Sequence, residues 1–249
     1  MCETELNYPH ITKSIIYELG IETTKKINAR QIELKNIRWR NGEANLDTEY
    51  SELGCECCAL AWNNEMIRKY PEYSEIKIIC EIPDINITFI YPDGKIINDK
   101  IELKSSTKKT TKGSTIGDLD INQTLIYCLR PSKYSDPYIV RCSQYYNAMG
   151  KSDIELFQDR TPRPPINFEK MSDEDNIIPF IAKEKNDWLD HYAKCALKRI
   201  EETTKCQESW QDHMIRILKK EIINDYIRNT TEQQFQKDKI SLQLLNTNI

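Results

Sequence analysis

The feature that most constrains the fold is a run of alternating apolar and polar residues broken by one tight turn. Apolar residues recur at every second position from Ile76 to Cys80 and from Ile85 to Tyr91, as in strands that bury one face. The turn Pro92-Asp93-Gly94-Lys95 follows, and a returning strand is expected at 96–105. The pattern predicts a three-stranded antiparallel meander.

Helical and strand patterns flank the meander. A helix is expected from Asp47 to about Tyr70, a second from Asp118 to Leu129, a strand from Pro137 to Tyr146, and helical structure from Lys183 onward. The order predicts an α/β protein whose core is a helix, a three-stranded meander, a helix and a strand, with helical additions at both ends.

Four regions are expected along the chain. They are an N-terminal extension (1–46), a core domain (47–165), a C-terminal helical region packed on that core (166–230) and a flexible tail (231–249).

Composition excludes several classes of protein. The 249 residues carry 35 Lys and Arg against 39 Asp and Glu, a net charge of -4, so nucleic-acid binding requires a local basic face. No apolar stretch approaches the roughly 18 residues of a membrane span, and the first residues lack the pattern of a signal peptide. We expect a cytoplasmic or nuclear protein that neither enters membranes nor is secreted.

The meander brings acidic and basic side chains together. Glu102 and Lys104 are two residues apart on one strand, so they share a face. If Asp93 and Gly94 form the centre of the turn, Tyr91 pairs with Ile96 and Asp84 lies opposite Leu103. A one-residue slip at Asn98-Asp99 would place Asp84 opposite Glu102 or Lys104 instead. Either register places two carboxylates and one ammonium close together.

This combination suits the hydrolysis of phosphodiesters. Two close carboxylates repel each other unless a cation lies between them, and oxygen ligands favour Mg²⁺ or Mn²⁺. A neighbouring lysine adds positive charge as the transition state forms.

The same residues resemble the PD-(D/E)xK, or restriction-endonuclease-like, nuclease superfamily. Pro83-Asp84 followed by Glu102-Leu103-Lys104 matches its motif, and Gln123 to Tyr127 is similar to the QxxxY motif of lambda-type exonucleases. The resemblance covers roughly residues 47–148 and extends to nuclease-like proteins of large DNA viruses. It implies a restriction-endonuclease-like core that acts on DNA. Many members are homodimers, for which the C-terminal helical stripe is a candidate interface.

The resemblance also implies roles for single residues. Asp84, Glu102, Lys104 and Gln123 would be catalytic, and Asp84, Glu102, Glu56 and Leu103 would hold Mg²⁺ or Mn²⁺, with Glu52 as the alternative to Glu56. The residues expected to contact nucleic acid lie in the lysine-rich loop (108–117) or near it. They are Lys108, Lys109, Lys112, Tyr127 and Arg141.

Two other patterns are interpreted as structural. Ile32-Glu33-Leu34-Lys35 repeats the tetrapeptide at 101–104, but no aspartate precedes it, so we interpret it as a surface segment. Cys55, Cys57 and Cys58 splay over different faces of a helix and are expected to be buried thiols.

The preferred function is a metal-dependent DNA endonuclease. The alternatives are an end-dependent DNA exonuclease or repair nuclease and a non-catalytic nucleic-acid-binding protein on a nuclease fold.

Overall fold

The structure is a computed structural model. It describes residues 8–39, 48–71, 75–81, 84–91, 93–115, 118–133, 135–152, 163–171, 179–203, 210–231, 234 and 237–238. Pro83 of the predicted motif, Pro92 of the predicted turn and most of the predicted tail lie outside these residues. The chain divides into two compact units, Met1–Tyr192 and Ala193–Ile249.

The helices cluster toward the two ends of the chain. They are α1 (Tyr8–Ala29), α2 (Gln31–Asn36), α3 (Thr48–Ala61), which continues through a π-helical turn (Trp62–Met66) into α4 (Ile67–Lys69), then α5 (Tyr145–Ala148), α6 (Lys185–Thr203) and α7 (Trp210–Asn229). A 3₁₀ turn spans Phe168–Lys170. Within the described residues, no helix combines the length and the apolar character needed to cross a membrane.

The strands form one large sheet and one small one. They are β1 (Glu75–Glu81), β2 (Asp84–Ile90), β3 (Ile96–Ser106), β4 (Thr110–Lys112), β5 (Thr124–Leu129), β6 (Ile139–Gln144) and β7 (Pro165–Asn167). The large sheet has the order β1-β2-β3-β5-β6, and β4 pairs with β7.

The large sheet is mixed. Strands β1, β2 and β3 form the predicted antiparallel meander, β5 is parallel to β3, and β6 is antiparallel to β5. The predicted α/β class, the meander and the strand near residues 137–146 are therefore confirmed.

The helix predicted from Asp118 to Leu129 is wrong, because its second half is strand β5. Residues 124–128 are all buried, so both faces of β5 are covered. Within the sheet, β5 lies between β3 and β6. Such a strand reads as an unbroken apolar run, which periodicity does not distinguish from a buried helix.

Helices α1 and α3 supply the hydrophobic core on one face of the sheet. Alternation along β2 turns Ile85, Ile87 and Phe89 toward this core, and each is fully buried. Ile15, Ile16 and Leu19 of α1 join the same cluster, so part of the predicted N-terminal extension packs within the core of the first unit. Cys57 and Cys58 of α3 are buried thiols outside any disulfide, as predicted, whereas Cys55 on the same helix is only partly buried.

The second unit contains α7. Its apolar residues Ile217, Leu218, Ile222 and Tyr226 are between 38% and 66% exposed. Their role as an interface between two copies stays a prediction.

Candidate active site

The loop between β2 and β3 sets the register of the candidate site. The sequence predicts a pair between Tyr91 and Ile96, whereas the structure pairs Ile96 with Ile90. The amide of Tyr91 donates to the carbonyl of Lys95 at 2.9 Å, which closes a three-residue loop. Gly94 has a φ of +82°, the left-handed conformation that favours glycine in loops of this length. The one-residue shift therefore arises at the turn and not at Asn98-Asp99.

The observed register makes Asp84 and Glu102 neighbours. Ile85 pairs with Ile101, and Asp84 and Glu102 are the next residues outward on the two adjacent strands. This corresponds to the alternative in which Asp84 lies opposite Glu102.

The two carboxylates lie on the sheet face that is turned away from α1 and α3. Leu103 and Ile85 face α3, since a Cβ added at Gly54 would lie 2.9 Å from Leu103 Cδ1 and 3.5 Å from Ile85 Cδ1. Alternation then places Asp84 and Glu102 on the opposite face.

Each carboxylate has its own lysine. Lys100 Nζ lies 2.8 Å from Asp84 Oδ2, and Lys104 Nζ lies 2.7 Å from Glu102 Oε1. The Glu102 side chain is only 4% exposed, whereas that of Lys100 is 47% exposed and reaches the surface. Burial lowers the pKa of Lys100, but the hydrogen bond and charge of Asp84 outweigh it, so the pKa lies above its ordinary value.

Asp84 has one oxygen that the described residues leave unsatisfied. Asp84 Oδ1 is buried and has no hydrogen-bond partner among them. A buried carboxylate oxygen without a donor is costly, and a cation would satisfy it.

Ser114 also holds the carboxylate of Glu102. Its hydroxyl donates to Glu102 at 3.0 Å from Oε1 and 3.2 Å from Oε2, and its amide donates to the Tyr145 hydroxyl oxygen at 2.5 Å. Burial and the charge of Glu102 raise the pKa of Tyr145 well above its ordinary value.

Gly113 allows the chain to pass close to Tyr145. A Cβ at this position would lie 2.2 Å from the carbonyl oxygen of Pro164 and 2.3 Å from the Tyr145 hydroxyl oxygen. A glycine is therefore needed for the loop to place Ser114 against Glu102.

Three residues of this arrangement are not among those predicted from the sequence: Lys100, Ser114 and Tyr145. Lys100 carried a usable signal, because it lies two residues before Glu102 on one strand and must share its face. Ser114 and Tyr145 carried no such signal, since only the tertiary structure brings them to β3.

Gln123 and Tyr127 lie at β5 and not on a helix. Gln123 directly precedes the strand, is 3% exposed, and its Nε2 has no hydrogen-bond partner among the described residues. Tyr127 is fully buried, and its hydroxyl donates to the carbonyl of Lys108 at 2.7 Å. The Tyr127 hydroxyl thus holds the lysine-rich loop in place. Because the Tyr127 side chain is buried, it is not accessible for the phosphate contact that the sequence predicts.

The structure does not bring the expected helical ligand to the carboxylate pair. Glu56 forms an ion pair with Arg30 at 2.8 Å, and its side chain is 60% exposed. Glu52 is exposed on the same helix, which packs on the face opposite Glu102. The side chain of Leu103 points toward α3 and has no ligand atom, so only the main-chain carbonyl of Leu103 would act as a ligand.

The expected basic contacts divide into two groups. Lys108 and Lys112 are exposed. Lys109 is also exposed, and its ammonium pairs with Glu169 at 2.5 Å. The guanidinium of Arg141 lies 4.4 Å from the ring centre of Phe168, and its Nη1 donates to the carbonyl of the same residue at 3.2 Å.

Asp84 and Glu102 are two carboxylates without a third acidic, histidine or cysteine side chain beside them among the described residues. Across the described part of the chain, no three or more His, Cys, Asp and Glu side chains come together as a metal-binding group. Comparisons with family models, with curated proteins and with solved structures found no match to the chain.

Proposed function

We propose that the protein is a metal-dependent nuclease that hydrolyses phosphodiester bonds of DNA, built on a restriction-endonuclease-like core. The observation that carries this proposal is the register that makes Asp84 and Glu102 neighbours on one face, with Lys104 paired to Glu102 at 2.7 Å.

The donor set fits Mg²⁺ or Mn²⁺. Mg²⁺ keeps several waters and is commonly held by one or two carboxylates together with substrate phosphates, so two protein carboxylates are sufficient. Asp84 Oδ1 is a buried acceptor that lacks a hydrogen-bond partner among the described residues. The main-chain carbonyl of Leu103, which lies between Glu102 and Lys104 in the sequence, would be a further oxygen ligand. A bound divalent ion supplies Lewis-acid polarisation of a phosphate and a more acidic water.

Lys104 is suited to act on the substrate. Its side chain is 28% exposed, and its ammonium is held by a carboxylate that is itself nearly inaccessible. A positive charge fixed at this position stabilises negative charge that develops on phosphate oxygens.

The ion pairs also favour a second candidate, a non-catalytic nucleic-acid-binding protein. Lys100 and Lys104 already neutralise Asp84 and Glu102, so the face is stable as a purely structural arrangement. In that case the protein would bind DNA without cleaving it.

The deciding experiment incubates the purified protein with supercoiled plasmid, linear duplex, single-stranded DNA and RNA, with Mg²⁺, Mn²⁺ or EDTA. A nuclease of this type cleaves only with the divalent ion, and cleavage of closed circles distinguishes an endonuclease from an end-dependent exonuclease. Asp84→Asn should abolish cleavage, whereas Asp93→Asn in the exposed turn should not. Cleavage that survives EDTA or Asp84→Asn would contradict the proposal, and DNA binding without cleavage would favour the second candidate.

A further inference from the structure

A groove lies beside the carboxylates on the polar side of the meander. It has a volume of about 510 Å³ and is lined by Ile79, Asn86, Ile87, Thr88, Asn98, Asp99 and Lys100. Sites for small molecules in proteins have volumes of roughly 300–1,000 Å³, so the groove is large enough for one nucleotide.

The strand register places this groove next to the candidate active site. Asn86 pairs with Ile79 on one side and Lys100 on the other, so the three form a row across the sheet. Asp84 and Glu102 belong to the adjacent row, two residues along each strand, or roughly 7 Å away. Lys100 lines the groove and also contacts Asp84 at 2.8 Å, so the groove and the carboxylate pair share one side chain.

One amide in the groove is oriented by its neighbour. The Thr88 hydroxyl donates to Asn98 Oδ1 at 2.8 Å, so the carbonyl end of this amide is held within the hairpin. The NH₂ group of Asn98 then points away from Thr88 as a donor, and it has no partner among the described residues. Donors of this kind bind base edges and sugar or phosphate oxygens.

The remaining lining matches the other parts of a nucleotide. Ile79 is 51% exposed and offers an apolar surface at the outer side of the groove. Lys100 supplies positive charge at the inner side, nearest the carboxylates, and Lys77 is exposed on the strand position that pairs with Thr88. The groove therefore combines an apolar wall, an oriented amide and a cation.

On the basis of the proposed nuclease function, we propose that this groove binds the nucleotide next to the scissile phosphate. Lys100 contacts its phosphate, and the Asn98 amide donates a hydrogen bond to its base or sugar. The chemical class of the ligand is a single-stranded or locally unpaired DNA segment, because a nucleotide enters the groove only when it is free of its complementary strand.

The test measures binding of a fluorescent oligonucleotide to the full chain in Ca²⁺ and single-turnover cleavage in Mg²⁺. Asn98→Ala should weaken binding about three- to tenfold, the effect of losing one neutral hydrogen bond. Thr88→Val should have the same effect, whereas Thr88→Ser keeps the hydroxyl and should bind like the wild type. Lys95→Ala, in the exposed turn of the same hairpin, is the matched control.

An abasic nucleotide scanned along the oligonucleotide locates the contact. One position should weaken binding to the wild type and cause no additional loss in Asn98→Ala, because the same contact is already gone. If Asn98→Ala and Thr88→Val bind like the wild type, the groove assignment is overturned whether or not the wild type cleaves. If the wild type binds and shows these effects but does not cleave, the nuclease proposal fails and the groove remains a nucleotide site.

Discussion

Lys100 Nζ lies 2.8 Å from Asp84 Oδ2, and this ion pair occupies the carboxylate that the proposed cation requires. If a cation were held by Asp84, Lys100 would compete with it for this carboxylate and would become a free ammonium once the cation was bound. Its 47% exposed side chain has room to move from the carboxylate to a phosphate in the adjacent groove.

Replacing Lys100 with Gln should change two affinities in opposite directions. The dissociation constant for Mn²⁺ should fall about two- to fivefold, because a partly exposed ion pair no longer competes for Asp84. The slope of log K against log salt for single-stranded DNA should lose about 0.7 in magnitude, as expected for one lost phosphate contact. Calorimetry with Mn²⁺ and a salt titration in Ca²⁺ measure the two effects. Lys95→Gln should change neither, and weaker Mn²⁺ binding in Lys100→Gln would contradict the competition.

Lys104 and Lys35 offer a matched comparison, because both end the tetrapeptide Ile-Glu-Leu-Lys. Lys104→Ala should lower the cleavage rate at saturating DNA by about a hundredfold or more, since it removes positive charge beside the reacting phosphate. Lys35 lies on α2, and Lys35→Ala should leave the cleavage rate within about twofold of the wild type. Single-turnover kinetics checks both, and equal losses would show that the wrong tetrapeptide has been assigned to the site.

Ser114→Ala should destabilise the folded protein, because it removes a hydrogen bond to a buried carboxylate. A hydrogen bond to a charged group contributes about 1.5–3 kcal/mol, so the free energy of unfolding should fall by about this amount. Urea unfolding measures the loss. Ser114→Thr keeps the hydroxyl and should recover most of the stability, while Ser135→Ala in an exposed loop is the control. A Ser114→Ala protein as stable as the wild type would mean that the contact to Glu102 is not formed.

Gly113→Ala and Gly94→Ala should differ in activity more than in stability. At Gly113 a Cβ would overlap the carbonyl of Pro164 and the Tyr145 hydroxyl, at a cost of about 1–3 kcal/mol. At Gly94 the positive φ costs about 1–2 kcal/mol in open space, far from the carboxylates. Only Gly113→Ala should lower the cleavage rate of the folded protein, because it displaces Ser114. Equal rates at a temperature where both variants are folded would argue against a role for the loop.

The buried thiol of Cys58 should make stability depend on alkaline pH. Burial raises the pKa of Cys58 to about 12, so above pH 9 the unfolded chain loses this proton while the folded chain keeps it. The folded state then binds more protons, and the free energy of unfolding must fall as pH rises. Between pH 8 and pH 10, ionisation of Cys58 should lower the free energy of unfolding of the wild type by about 1.4 kcal/mol. Cys58→Ala lacks this thiol, so its free energy of unfolding should not show this loss. Urea unfolding of both proteins at the two pH values tests it, and identical pH dependence would contradict the assignment.

The meander and the pairing of its acidic residues were within reach of the sequence. Alternation between Ile85 and Tyr91 specifies which face of β2 is buried, so Asp84 had to lie on the other face. The spacing of Glu102 and Lys104 specified a shared face in the same way. The one-residue uncertainty in the strand register came from the turn. The residue types at the turn do not distinguish a two-residue loop from a three-residue loop. In the structure Gly94 has a positive φ, which belongs to the three-residue loop.

Strand β5 shows where local patterns cease to determine structure. The apolar run from Leu125 to Cys128 is compatible with a buried helix or a buried strand, and its partners β3 and β6 decide the outcome. Whether this segment is a helix or a strand also decides the role of Tyr127. A helix would have placed Tyr127 one turn after Gln123, whereas in the sheet Tyr127 is buried.

The sequence by itself determined the polar face of the hairpin, because a side-chain period of two needs no information from elsewhere in the chain. Only the tertiary structure decided what surrounds that face. Ser114, in the loop that follows β4, contacts Glu102, and Tyr145, in the short helix that follows β6, holds Ser114 there. Glu56 pairs with Arg30 on the opposite side of the sheet. These contacts depend on how separate elements pack, and packing energies are shared among residues far apart in sequence.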